Sequence, residues 1–137
     1  MKESNIIICL LSGEKVKILA ENIIKSMKEN KIERIIWMTG MGIHHEVPGP
    51  VKEILDKLVK EQPYYVQAAD TIQNSGLNYT LIRGAHLTDG NNPKSFIQKE
   101  GEEIHSNTCD RIALVKLIID IVQNPKLFEM QSIGVTN

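Results

Sequence analysis

Apolar residues come in two alternating rhythms along this chain. Continuous runs of strand length, at residues 6–11 and 35–38, flank a stretch in which Val16, Leu19, Ala20, Ile23, Ile24 and Met27 recur at helical spacing. An unbroken apolar run marks a strand covered on both faces, and a stripe every three to four residues marks a helix with one buried side. The order predicts a βαβ unit, with strands near residues 6–11 and 34–39 lying parallel and a helix crossing between them. Ser12 stands where a helix N-cap belongs.

The same rhythms continue downstream. Residues 43–50 read as a loop from their proline and glycine content, and Pro50 suits the first turn of a helix. Val51, Ile54, Leu55, Leu58 and Val59 then repeat the apolar stripe until Pro63 resets the chain. A third helix is expected over about residues 64–74, with Ser75-Gly76 as its exit. A strand at residues 79–83 follows, and turn chemistry fills residues 88–93. Residues 96–104 hold a short edge strand interrupted by Gly101. Asp110 is placed to cap a last helix whose inward positions are Leu114, Val115, Ile118, Ile121 and Val122, with Lys116 and Asp120 as an i, i+4 pair. Residues 132–135 form a final strand. The fold class predicted is three-layer α/β with a Rossmann-like parallel sheet, whose ligand crevice lies beyond the carboxyl ends of the strands. Small residues punctuate those ends at Ser12-Gly13, at Thr39-Gly40-Met41-Gly42 and at Arg83-Gly84-Ala85-His86.

Composition narrows the partners. The chain has 137 residues, 42% hydrophobic and 24% charged, enough for one domain with a real core. A net charge of −1 without a basic cluster argues against nucleic acid or an anionic membrane as the main partner. The apolar runs fall far below membrane-spanning length, and residues 1–3 do not lead into a signal-peptide pattern, so a cytoplasmic protein is expected. Two cysteines, Cys9 and Cys109, read as free thiols. His44, His45 and Glu46 are ligand types for zinc, yet adjacent loop histidines point apart and have no i, i+4 partner, so a solvated loop is expected and no metal. His86, near the crevice, is a better ligand contact than His105.

Three stretches are more specific than a generic α/β pattern: RIIWMTGMGIHHEVPGP, AADTIQNSGLNYTLIRGAHLTDG and RIALVKLIIDIVQNPKLFEMQSIGV. Together they resemble the NmrA-like branch of NAD(P)H-binding atypical short-chain dehydrogenase/reductases, including the NADH-flavin reductase type, over about residues 5–135. Residues 38–50 are similar to the family's Ser-Ser-x-Gly strand end with its Glu-Val-Pro-Gly continuation. Residues 68–89 resemble its SGLDYTILRPxxLTD stretch. The chain lacks the family's opening G-x-x-G-x-x-G turn and begins at what looks like the fourth strand, so on the order of 60 to 70 residues of βα structure are expected to be missing from the front. Thr39-Gly40 replaces two serines, Gly84 replaces a proline, and Gln67 stands where many relatives carry a lysine for the nicotinamide ribose. The residues four after Tyr64 and Tyr65 are Ala68 and Ala69, so no Tyr-x-x-x-Lys pair exists.

The resemblance implies a single partial NAD(P)-binding domain over residues 1–137 with oxidoreductase ancestry. Leu11, Ser12 and Gly13 would line the adenine and ribose side of the cofactor, Thr39, Gly40 and Met41 the nicotinamide side with Gln67 nearby, and Arg83, Gly84, Ala85 and His86 the far edge. The plain alternatives are a helix cap at Ser12, a strand-end hydroxyl at Thr39 and an ion pair at Arg83. Weak or absent NAD(P)H binding is expected, because the missing glycines let a pyrophosphate sit on backbone N–H groups at a helix N-terminus. No catalytic residue is assigned. The alternative function is a non-catalytic remnant or interaction module. In the family's sheet the strand at residues 5–11 has a neighbour on each side, so here one edge is open, favouring a homodimer or a partner that completes the sheet.

Overall fold

The computed structural model describes residues 6–104 and 106–137; Asn5 and His105 lie outside the described residues. The elements in order are β1 (Ile6–Cys9), α1 (Val16–Glu29), β2 (Arg34–Gly40), α2 (Val51–Glu61), α3 (Tyr64–Gln73), β3 (Asn78–Gly84), β4 (His86–Thr88), β5 (Phe96–Lys99), β6 (Thr108–Asp110), α4 (Arg111–Gln123) and β7 (Gln131–Thr136). One sheet has the order β1-β2-β3-β7-β5, parallel except for β5, and β4 pairs with β6 beside it. This is the mixed α/β, mostly parallel architecture expected from the alternating rhythms.

Side-chain alternation splits the core into two layers. Ile35, Trp37 and Leu81 face α1 and α3, where Ala20, Ala68 and Ala69 are small enough for the helices to pack closely. Ile36, Ile82, Ile133 and Val135 face Ala113, Leu114, Leu117 and Ile121 of α4. Arg34, unremarkable in the sequence, is buried at the opposite end of the sheet from the crevice. Its guanidinium donates to the carbonyls of Pro125 and Leu127, each at 3.0 Å, and to Thr80 Oγ1 at 2.7 Å, tying the α4–β7 connection to the strands.

Several local expectations are corrected. β1 stops at Cys9; Leu10 and Leu11 leave the sheet and are exposed, because β1 pairs with β2 only as far as Trp37. Ser12 does not cap α1: the N-cap position is Lys15, with no side-chain cap. Asp110 occupies the N-cap position of α4, but its carboxylate instead accepts from Thr88 Oγ1 at 2.5 Å and from the Asn92 N–H at 2.9 Å. α2 buries none of its residues, so its apolar stripe serves something other than the core. In α4 the buried positions include Ala113 and Leu117, while Val115 and Val122 are exposed. That helix is apolar on most of its circumference, so sequence periodicity had little polar contrast by which to orient it.

Candidate functional site

At the carboxyl ends of β1, β2 and β3 lies a cavity of about 310 Å³. Its floor is Thr39, Gly40, Met41 and Gly84, and its near wall is Leu10, Leu11 and Ser12. Leu55, Leu58 and Val59 of α2 form the roof, which is what that stripe is for. Gly84 packs under Met38, and a Cβ there would come within 2.7 Å of Met38 Cε and displace the end of that flexible side chain. The lining is apolar, with the hydroxyls of Ser12, Thr39 and Tyr65 and the amide of Gln62 as its polar side chains, and among the described residues no charged side chain takes part. Thr39 Oγ1 is buried without a hydrogen-bond partner. Tyr65 Oη accepts the Gly13 N–H at 3.2 Å, so the turn entering α1 already has a partner for that donor.

The loop between β2 and α2 is held by one buried carboxylate. Glu46 accepts the N–H of Gly42 at 2.7 Å and of His44 at 3.0 Å, and pairs with the Arg83 guanidinium at 3.1 Å. Arg83 is fully buried and also donates to Ser132 Oγ at 3.0 Å and to the Ser132 carbonyl at 3.3 Å. Burial by itself would raise Glu46, but the Gly42 N–H and the charge of Arg83 outweigh it and hold the carboxyl below its ordinary value. Gly42 adopts φ +92°, and a Cβ there would press on Leu55 Cβ at 3.2 Å, so the turn and the roof of the cavity are fitted to each other.

Of the residues picked out in the sequence, Leu11, Ser12, Thr39, Gly40, Met41 and Gly84 come together around the cavity. The others do not line it. Gly13 turns its N–H to Tyr65. Gln67 is exposed on α3, and the amide that reaches the cavity belongs to Gln62. Arg83 is spent on Glu46 and Ser132. Ala85 is buried, and the exposed His86 begins β4, pairing along Thr108. His44 and His45 diverge: His44 Nε2 lies 3.2 Å from Ser132 Oγ, and His45 Nδ1 lies 2.7 Å from Asp56 Oδ1. Met38, Ile43, Tyr65 and the α2 roof were missed as lining; the signal available was the apolar stripe following Pro50 beside a strand end. A larger open groove of about 690 Å³ at the other end of the sheet mixes Lys28, Lys31, Glu33 and Glu129 and lies at the amino, not the carboxyl, ends of the strands.

A family model described as NAD(P)H-binding matches residues 1–125. No curated protein matches the chain. Among solved structures, it is similar to a short-chain dehydrogenase/reductase from Veillonella parvula in complex with NADP, with TM-score 0.86 and 22% identity, covering 98% of this chain and 63% of that one. A Rossmann-fold NAD(P)-binding family protein from Shigella flexneri gives 0.79 at 28% identity, covering 97% and 60%. ChuY, an anaerobilin reductase from Escherichia coli O157:H7, gives 0.75 at 20% identity, covering 96% and 63%. The chain thus spans about 60–63% of the length of these proteins.

Proposed function

The chain belongs to the NAD(P)H-binding family, and from that premise we propose that it is a partial oxidoreductase-like domain whose cavity takes the nicotinamide end of NADH or NADPH weakly. The observation that carries this reading is Thr39 Oγ1, a buried hydroxyl without a partner at the floor of an apolar cavity. Leaving such a group unsatisfied costs about 1–3 kcal/mol, which a ligand amide that displaces the side chains covering it would offset. The apolar walls suit a flat ring, and the cavity is of ligand size. The diphosphate half of a dinucleotide fits poorly. Among the described residues no charged side chain lines the cavity, and the Gly13 N–H is bonded to Tyr65. When bound, the cofactor would supply a hydride; Thr39 would hold the ring and α2 would shield it. Tyr65 stands beside the cavity, and the residue four positions on is Ala69 rather than a lysine.

Calorimetric titration with NADH and NADPH tests this. The expected dissociation constant is weaker than about 100 µM, or roughly 5.5 kcal/mol, whereas low-micromolar binding, about 8 kcal/mol, would show that the phosphate contacts are not missing. Thr39→Val should melt no lower than the parent while abolishing the binding. Amide shifts on titration that spare residues 39–41 would move the site elsewhere.

A second reading is favoured by the edge of the sheet. Among the described residues Ile7 to Cys9 pair in the sheet on one side only, with β2, and they contain no proline or charge to protect the other side. We propose that this edge is completed by a second copy or by another polypeptide. Cys9 and Cys109 are buried and free, with thiol pKa values raised by burial, and no helix among the described residues is long and apolar enough to cross a membrane. The cytoplasm, where thiols stay reduced, is the compartment we propose.

A further inference from the structure

The chain between β2 and α3 is held at its two ends and loose in between. Val47 is 2% exposed, and the Glu46 carbonyl accepts the Ile104 N–H at 3.1 Å, so the loop leaving β2 is anchored that far. Beyond the segment, α3 is anchored through Ala68, Ala69 and Ile72. None of residues 48–62 is buried, although Leu55, Leu58 and Val59 are turned to the cavity. A stretch with so few buried apolar groups lies at the low-stability end of a fold, among the parts that open first.

Both ends of the stretch can turn. Gly49 adopts φ +77°, and nothing lies within 4 Å of where its Cβ would be. At the far end the Gln62 N–H closes α2 on the Leu58 carbonyl, and Pro63, which has no N–H, separates it from α3. One pair spans the gap from the anchored loop to α2: His45 Nδ1 lies 2.7 Å from Asp56 Oδ1, with the two side chains 59% and 33% exposed. An exposed pair of this kind holds weakly. Beneath α2, Thr39 Oγ1 is enclosed and has no hydrogen-bond partner. A ligand reaches it only if something above it moves. The floor cannot, because Thr39 and Gly40 are paired in the sheet with Arg83 and Gly84. The roof can.

We propose that residues 48–62 form a lid, in which α2 swings away from Thr39 about Gly49 and the Gln62–Pro63 junction when His45 releases Asp56, and closes over the ligand that enters. The closing step rests on the reading that the cavity takes the nicotinamide end of NAD(P)H. The opening step belongs to the free chain and rests on the packing alone. A helix of 11 residues is marginal by itself in water, so α2 frays while it is open and its amides exchange.

Two measurements on the full chain test this: amide hydrogen exchange, and labelling of Thr39→Cys by a small neutral pyridyl disulfide. The parent, whose Cys9 and Cys109 are both buried, is the labelling control. The α2 amides should exchange at least about 100-fold faster than those of residues 68–73, and the introduced thiol should label faster than Cys109 by a similar factor. Asp56→Asn, which lies outside the cavity lining, should speed both about two- to five-fold, and saturating NADPH should slow α2 exchange in the parent. A thiol that labels no faster than Cys109, or α2 amides as slow as those of α3, overturns the lid. Rates indifferent to Asp56→Asn overturn the latch. If NADPH shifts the amides of residues 39–41 and leaves α2 exchange unchanged, the closing step is overturned. If it shifts neither while the free-chain rates are as expected, the nicotinamide reading falls and the opening lid stands.

Discussion

Arg83 and Glu46 show how one pair of charges can set the shape of a loop. The carboxylate gathers two backbone N–H groups and a guanidinium within 3.1 Å while nearly all of it is out of water. Removing one member of such a pair strands the other, at a cost of about 3 kcal/mol. Glu46→Gln should therefore lower stability at pH 7 by about that amount, measured by urea unfolding. The pH dependence has a definite sign. Glu46 is held below the ordinary value of 4.5, so the unfolded chain binds its proton first as pH falls. The stabilisation is full above pH 4.5 and is lost as pH drops through the depressed native value, so the parent should lose stability more steeply below pH 4.5 than Glu46→Gln. Parallel curves for the two proteins would show that Glu46 does not carry this charge in the native state.

α2 and α3 are adjacent amphipathic helices with opposite assignments. α3 buries Ala68, Ala69 and Ile72 against the sheet layer; α2 buries nothing and lends Leu55, Leu58 and Val59 to the cavity roof. Truncating Ile72, wholly buried, to alanine should cost about 2–5 kcal/mol of stability. Leu58→Ala, at a position 41% exposed, should fall within about 0.5 kcal/mol of the parent. The consequences for the ligand reverse that order: Leu58→Ala opens the roof and weakens NADPH binding, while Ile72→Ala leaves it nearly unchanged wherever the domain is folded. Thermal melts paired with nucleotide titrations measure both, and a strongly destabilising Leu58→Ala would place α2 in the core.

As a whole, the molecule gathers the carboxyl ends of three parallel strands around one cavity. β1 ends at the cavity wall formed by Leu10 to Ser12, so a strand added beside β1 would also end at that crevice, where phosphate-binding turns of parallel sheets belong. The isolated chain should show no turnover of NAD(P)H with a flavin acceptor. Steady NAD(P)H oxidation by the chain alone, abolished by Thr39→Val, would show that the present residues suffice.

The alternation of unbroken apolar runs with helical stripes was enough to determine the layers and the parallel sheet, because burial on both faces leaves a strand such as residues 35–38 no polar position. The small residues at strand ends likewise marked Thr39, Gly40 and Gly84 as the floor of a crevice. Beyond that, local pattern loses its hold. Nothing in the order of residues distinguishes an arginine that meets a ligand from one that meets Glu46, since the pair is 37 positions apart in the chain. Periodicity marked α2 and α3 alike, and only packing showed that one stripe roofs a cavity and the other fills a core. In α4 the apolar residues encircle the helix, so the sheet chose which side to bury and left the Ile112 to Val122 stripe outward. Propensity and pattern act over a few residues and decide what each element is; which neighbour a side chain meets is decided by the energy of contacts distant in sequence, which exist only once the sheet has brought them together.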